Sequence, residues 1–524
     1  MQKKNLSPSA RELKHIFKIQ ADTPLERYQL ELARIRDEHQ DDDRLQSLLH
    51  TPLSQAPRTE VGTSVRMWAR FGHNLRFVAE YRKWYKWTGK MWAEAPNDYL
   101  KQLAISATSY ILAEAETFMQ GENPNESEWQ AHKKYFRAAQ SARAIESAIE
   151  LLKGQPDILI EFQMLNQDDW MLNCQNGVLE LRTGQLLPHK REYYMTKICE
   201  TYWDPQATAP RWEQYLQKAH LGDKYTIRLI QQYCGLGLVG EILAQAFMVH
   251  YGTGGNGKNF LPAVLQKVLG KYAQQAPATL FVDRKTDAQT NDIARTENIR
   301  LLIASETEEG ARLNTALVKQ MTGNDKISVR YLWGEFFDLT PKFTAMMFTN
   351  PRPTIKDSSN GIWRRLLLIH WEYNFEDDPE RKDLPVLLRE MEPEYPGVLK
   401  WLWEGLQLYL KHGRLLVPEK VKREVDLYRR ETDLIADFLE MWVVNAPGER
   451  VPKARLYETY KFYMEQTGHR ALAENKLTPL LRDKGLQEIR TKAGRYWADV
   501  RLRTPDEIHD DDMDTVHEED IEVF

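Results

Sequence analysis

Eight residues restrict this chain more than any other part of it: Gly252-Thr253-Gly254-Gly255-Asn256-Gly257-Lys258-Asn259. They follow an apolar run, Ala246 to Tyr251, and precede a helical one, Phe260 to Leu269. Strand, glycine-rich turn and helix in that order make a phosphate-binding loop. Glycines let consecutive backbone N–H groups turn inward around phosphate oxygens. The helix N-terminus adds its positive end, and a lysine reaches the outer phosphates. The loop predicts ATP as cofactor, held by Gly252, Gly254, Gly255, Asn256, Gly257, Lys258 and Asn259. A Ser or Thr ordinarily offers its hydroxyl to Mg²⁺ at the last position, where this chain has the amide oxygen of Asn259. The same residues also read GxGxxG through Gly252, Gly254 and Gly257. That dinucleotide alternative needs a strand-end acid about 20 residues on, where Asp283 is loosely placed, and it leaves Lys258 without a role.

A nucleotide hydrolase needs further parts, and they follow in order. Arg300 to Glu306 reads as a buried strand ending in a carboxylate. Glu306 is the candidate to polarise the attacking water and hold the Mg²⁺ shell, alone or with Asn259. Phe343 to Thr349 is a second strand, ending in Asn350, whose amide can orient water against a γ-phosphate. Trp363-Arg364-Arg365 precedes a third strand, Leu366 to Ile369. Arg364 or Arg365 is placed to reach a neighbouring subunit's γ-phosphate. Between the acid strand and the Asn strand runs a basic segment with interleaved aromatics, including Lys326, Arg330 and Trp333. A hairpin of that composition suits a nucleic-acid backbone and its bases, and an ordinary hairpin is the plain alternative.

The 524 residues carry 71 Lys and Arg against 76 Asp and Glu, a formal charge of −5. Ten of the acids lie between Asp506 and Glu522, in a stretch without Lys or Arg. The first 504 residues are therefore +5, and the total does not exclude nucleic acid. Three dispersed cysteines exclude a disulfide framework and a Cys-based zinc site. No run of 18 apolar residues exists, so no membrane partner and a cytoplasmic location are expected.

Around the loop, composition divides the chain. Residues 1–60 read as a helical segment and linker, with a capping box at Thr23-Pro24-Leu25-Glu26. Residues 64–210 read as an α+β accessory unit with turns at Gly89-Lys90 and Asn176-Gly177. Its Trp68, Trp84, Trp87 and Trp92 read as core before they read as a base-stacking platform. Residues 211–415 alternate strands and helices, predicting a parallel α/β sheet. A charged helical connector covers 416–432. Residues 433–503 read as three helices and a β-hairpin, a winged-helix layout with Arg490, Lys492 and Arg495 on a basic wing; a protein-docking winged helix is the alternative. The acidic tail, 504–524, is expected to be disordered.

The order of phosphate loop, single-acid strand, Thr322-Gly323-Asn324-Asp325 segment, strand ending in Thr349-Asn350 and Trp363-Arg364-Arg365 resembles the superfamily 3 helicases. More closely, it resembles the helicase half of phage and plasmid primase-helicases related to the poxvirus primase-helicase. The resemblance runs from roughly residue 70 to 500 and includes Trp84 to Trp92 and Leu172 to Gly177. It implies an AAA+ motor forming a hexameric ring that translocates on single-stranded and forked DNA. Lys258, Glu306, Asn350 and Arg364 or Arg365 would be its catalytic groups, and Lys326 and Arg330 its DNA loop. It also implies a mobile element and a bacterial host. Residues 1–60 are too short for a primase domain, so priming would come from another chain. The tail, ending in acids and Phe524, resembles tips that dock on replication partners such as a polymerase or a single-stranded-DNA-binding protein. The rival expectation is an ATP-gated origin binder or loading platform with little unwinding.

Overall fold

The fold was analysed in a computed structural model that describes residues 53–120, 122–277, 280–282, 288–305, 312–330, 336–355, 360–379, 381–469, 471–504 and 507. The expected N-terminal helix over 1–50, Asp283, Glu306, Trp333 and the tail apart from Thr504 and Glu507 lie outside the described residues.

Strands β1 (Leu75–Val78), β2 (Lys83–Trp87), β3 (Trp92–Ala95) and β4 (Leu159–Ile160) form a sheet in the order β3-β2-β1-β4. The predicted turn joins β2 to β3, with Gly89 in the left-handed region. Helices Glu60–Phe71, Asn97–Thr117 and Ala142–Leu152 pack against it, and Glu126–Ala139 packs on Asn97–Thr117. Trp68, Trp84 and Trp92 are buried, as their core reading requires, and Trp87 is half-buried. A second small sheet joins β5 (Met171–Cys174), β6 (Gly177–Glu180) and β7 (Leu186–Leu187).

The β5–β6 turn differs from the expected Asn-Gly pair by one residue. Cys174 pairs with Gly177, so Gln175 and Asn176 make the turn. The Asn176 side chain is claimed by Trp203, bonding its carbonyl and its N–H at 2.9 Å each. Gly177 is needed for another reason: a Cβ there would meet the Leu187 carbonyl at 2.5 Å.

The central sheet follows from strict alternation. Strands β8 (Phe247–Tyr251), β9 (Ala273–Pro277) and β10 (Leu301–Ser305) are followed by an excursion, β11 (Ile327–Arg330) and β12 (Phe336–Leu339). Then come β13 (Thr344–Phe348) and β14 (Leu366–His370). The five sheet strands are all parallel, in the order β14-β8-β13-β10-β9. Met248, Leu301, Ile303, Met346, Phe348, Leu367 and Ile369 point to one face. Helices Pro210–Ala219, Lys224–Leu236, Phe260–Leu269 and Tyr395–His412 cover it. Phe247, Val249, Leu302, Ala304, Ala345, Met347, Leu366 and Leu368 point to the other face, under Thr315–Met321 and Glu419–Thr432. A parallel sheet buried on both faces is what near-continuous apolar strands demand. Leu172, Cys174, Leu179 and Leu181 of β5 and β6 join the first core.

The last unit has three helices, Leu434–Trp442, Lys453–Gln466 and Glu474–Asp483, around buried Phe438, Leu456, Tyr460 and Trp497. The predicted hairpin is present as β16 (Gln487–Thr491) and β17 (Gly494–Leu502). It gains a third strand, β15 (Val443–Pro452), on the other edge of β17. Pro447 and Gly448 hide β15 in the sequence. They fall where its pairing breaks between Asn445 and Arg450, and an irregularity tolerates both residues. Among the described residues, no helix is long and apolar enough to cross a membrane.

Candidate nucleotide and nucleic-acid site

The strand order decides what meets the phosphate loop. β13 lies between β8 and β10 and runs parallel to both. The residues after β8, β13 and β10 therefore emerge at one edge of the sheet. Across that edge Ser305 pairs with Phe348 and Phe348 with His250, so Asn350 arrives beside the loop. Lys258 donates to the Asn350 side-chain oxygen in a short hydrogen bond. It also donates to the Gly252 carbonyl at 3.1 Å and the Thr253 carbonyl at 3.4 Å. Burial pushes the Lys258 ammonium below its ordinary pKa. A desolvated cation ringed by neutral oxygens has no charged partner in this bonding and is matched to an incoming anion.

The loop's glycines are required by geometry. Gly252, Gly255 and Gly257 have φ of +149°, +76° and +75°. A Cβ on Gly252 would meet the Trp371 carbonyl at 2.7 Å. Asn256 braces the loop from beneath, accepting from the Lys258 N–H at 3.3 Å and donating to the Trp371 carbonyl at 3.4 Å. Its side chain thus faces inward, leaving its backbone for a phosphate. Gly254 is open, and Asn259 is exposed at the N-cap of Phe260–Leu269 with no side-chain capping bond. The strap after β14 closes the loop's outer side. Phe375 donates its N–H to the Gly255 carbonyl at 2.8 Å, and its ring lies 2.7 Å from a Cβ position on Gly257. Tyr215 donates to the Gly257 carbonyl at 3.1 Å. No sequence pattern pointed to this strap.

Two buried histidines support the loop. His250 stacks on Phe348 with 4.5 Å between centroids, and its Nδ1 accepts from the Trp371 indole at 3.1 Å. His220 packs on Trp371 at 4.6 Å. Burial, more than any neighbouring charge, lowers the His220 pKa to about 4 and holds that of His250 well below its ordinary value.

The two candidate arginines stand at the opposite edge of the sheet. Phe247, which opens β8, donates its N–H to the Arg365 carbonyl at 2.7 Å. Five strand residues separate that edge from the phosphate loop, about 16 Å at ~3.3 Å per residue. Neither arginine is placed beside Lys258 of its own chain. Arg365 is buried, donating to the Gly361 carbonyl at 2.7 Å and to Gln245 at 2.8 Å. Arg364 is exposed.

The excursion β11–β12 is antiparallel, with Arg330 opposite Phe336. Ile327 and Val329 turn into the core, while Ser328 and Arg330 face outward. Lys326 is exposed at the start of β11, and the Arg330 guanidinium lies 4.8 Å from the centre of the Phe336 ring. On the C-terminal hairpin, Arg490 and Arg495 are direct cross-strand partners, and Lys492 lies in the turn; all three are exposed. Like charges opposite one another cost stability in a sheet, and Glu488, 4.0 Å from Arg495, offsets part of that cost. Among the described residues, no group of three or more His, Cys, Asp or Glu could hold a metal ion. Mg²⁺ bound with a nucleotide needs only one or two protein ligands, so Asn259 is compatible with it.

The family described as D5 N terminal like matches residues 64–220, and that described as Poxvirus D5 protein-like matches residues 430–520. Two relatives, from Acanthamoeba polyphaga mimivirus and Frog virus 3, both carry the name "Putative helicase". The first is 24% identical over 69% of this chain and 40% of its own length. The second is 23% identical over 46% of this chain and 26% of its own. The chain thus spans 40% or less of either relative. An apo structure of the NrS-1 C terminal region aligns over 81% of this chain and 95% of its own, with 11% identity and a TM-score of 0.46. The relatives are viruses of eukaryotes, so the bacterial host expected from phage and plasmid resemblance gains no support. The two family matches and the viral relatives together bear out the resemblance of this chain to the D5-like helicases.

Proposed function

We propose that this protein is an ATP-dependent DNA helicase of superfamily 3, acting in the replication of a virus or other mobile element. The juxtaposition of Lys258 and Asn350 at one edge of a five-stranded parallel sheet carries the reading. It supplies one group for the outer phosphates and one amide to orient water, on neighbouring strands. The glycine loop and the N-terminus of Phe260–Leu269 hold the phosphates through backbone N–H groups. Asn259 offers an amide oxygen to Mg²⁺, with Glu306 proposed as the carboxylate of that shell. The metal supplies charge neutralisation on the phosphates.

The arginine pair supports assembly as a ring, with a hexamer the expected form. Placed far from its own nucleotide, an exposed Arg364 serves a neighbour's, while Arg365 holds β14 to the loop before β8. Lys326, Arg330, Trp333, Arg490, Lys492 and Arg495 are proposed to meet single-stranded and forked DNA, the last three from a winged helix. The acidic tail is proposed to recruit a primase, a polymerase or a single-stranded-DNA-binding protein. Asn259 favours a second reading, an ATP-gated origin binder or loading platform with little unwinding. Strand separation on a long forked duplex with ATP and Mg²⁺ decides between them. The helicase separates the strands, whereas the platform binds the fork and leaves it paired.

A further inference from the structure

Arg352 follows Asn350 by two residues, and no motif singled it out. It lines a cleft of about 500 Å³ together with Gly252, Thr253, Asn350, His370 and Tyr428. The cleft thus joins the first turn of the phosphate loop to the residue that meets Lys258. Arg352 is held there by one helix, Glu419–Thr432. Its Nη2 lies 2.7 Å from Glu431, its Nη1 lies 3.5 Å from Glu424, and its guanidinium lies 4.6 Å from the centre of the Tyr428 ring. The same helix is anchored to the loop strand, since Tyr251 donates to Glu424 in a short hydrogen bond. At its C-terminal end the helix runs directly into Asp433, the N-cap of Leu434–Trp442.

We propose that Arg352 is a γ-phosphate sensor that exchanges the carboxylates of Glu424 and Glu431 for a bound triphosphate, loosening the helix that leads into the C-terminal unit. The inference rests on the nucleotide-binding reading of the loop. The energetics favour exchange. The Glu431 side chain is 54% exposed and that of Arg352 28%, so water screens the pair, and such pairs hold weakly. A γ-phosphate concentrates more charge on three oxygens and accepts both prongs of a guanidinium. Burial of Val421, Val425 and Tyr428 keeps the helix seated, so the change is a loosening rather than a release. Nucleotide state is thereby passed to the unit that carries Arg490, Lys492 and Arg495.

The test uses the full chain with Mg²⁺, and either ADP or ADP with beryllium fluoride as the γ-phosphate mimic. In the wild type, the mimic but not ADP should speed amide exchange across residues 419–432. Arg352→Gln should weaken the mimic about tenfold or more, the scale of one charge-assisted hydrogen bond, and leave ADP unchanged. Its exchange over 419–432 should no longer depend on the mimic. The double variant Glu424→Gln, Glu431→Gln should move the other way and tighten the mimic alone, which keeps the test informative if Arg352→Gln misfolds. Equal weakening of ADP and mimic in Arg352→Gln, or no change in either variant, overturns the sensor. ADP binding by the wild type and its loss in Lys258→Ala report separately on the loop. If the wild type binds no ADP, the nucleotide reading itself fails, and the sensor fails with it.

Discussion

Lys258 and His220 show how burial tunes single residues around the loop. His220 lies against Trp371 and faces Asp223, Glu372 and Lys420, with His250 beyond the same indole. Its folded pKa of about 4 is below the ordinary 6.5, so the folded state resists the proton that the unfolded chain accepts. The stability this represents is fully present above pH 6.5 and is lost as pH falls from 6.5 towards 4, amounting to about 3 kcal/mol at the end of that window. His250 is shifted in the same direction and adds to the loss. Denaturant titrations between pH 7 and 4 should show this slope, and His220→Gln should flatten it. An unchanged slope would mean that other groups govern the acid limb.

At the same scale, some residues were legible in the sequence and others were not. The glycine loop and Lys258 were, because only a strand, a tight turn and a helix fit their spacing. Arg352 was not, because an arginine between two prolines has no pattern until a distant helix places two carboxylates on it. The choice between Arg364 and Arg365 was equally hidden. Adjacent residues at a helix end differ only in direction; Gln245 and Gly361 hold Arg365, and Arg364 is left exposed.

Helix packing sets the platform beneath the sheet. Helices Lys224–Leu236 and Tyr395–His412 cross where Gly235 and Gly405 let their backbones touch. A Cβ on Gly405 would meet the Gln231 carbonyl at 2.1 Å, and one on Gly235 would meet the Leu402 carbonyl at 2.5 Å. Gly405→Ala gains about 1 kcal/mol of helix propensity. It must also separate two backbones packed in a full core, at about 1–3 kcal/mol or more. The clash is with backbone, which cannot rotate away, so the net effect should be destabilising. A lower thermal midpoint for Gly405→Ala checks this, and an unchanged or raised midpoint would show that the two backbones can part at little cost. Elements with one period were readable in advance: Phe260–Leu269 and the strands β8, β10, β13 and β14 lie within a residue of their expected ranges, whereas the polar edge strand β9 was not read. β15 was not, because its proline and glycine mimic a loop and its partner, β17, lies more than 40 residues away.

For the whole molecule, sheet order carries the consequence. Parallel strands put the phosphate loop at one edge and Arg364 at the other, so a chain that hydrolyses ATP with this arginine needs a neighbour. Mixing Arg364→Ala subunits into wild-type protein should lower ATP turnover more steeply than in proportion to the mutant fraction. Arg365→Ala should instead lower the melting temperature, because that guanidinium holds two elements together. Strict proportionality in the Arg364→Ala mixtures would place all of the chemistry within one chain. The motifs gave a parallel α/β sheet and their succession along the chain, but the order β14-β8-β13-β10-β9 is a tertiary fact that no local pattern carries.

The motor reading stands or falls on ATP hydrolysis by the purified chain, with and without single-stranded DNA, measured beside Lys258→Ala. Lys258 is a desolvated cation with no charged partner in its bonding, so removing it relieves a burial cost that offsets the lost hydrogen bonds, and the circular dichroism spectrum and melting temperature should stay close to wild type. Single-stranded DNA should stimulate turnover in the wild type, and turnover should be lost in Lys258→Ala at equal folding. Wild-type protein that hydrolyses no ATP in either condition, or a Lys258→Ala variant that turns over at the wild-type rate, would contradict it.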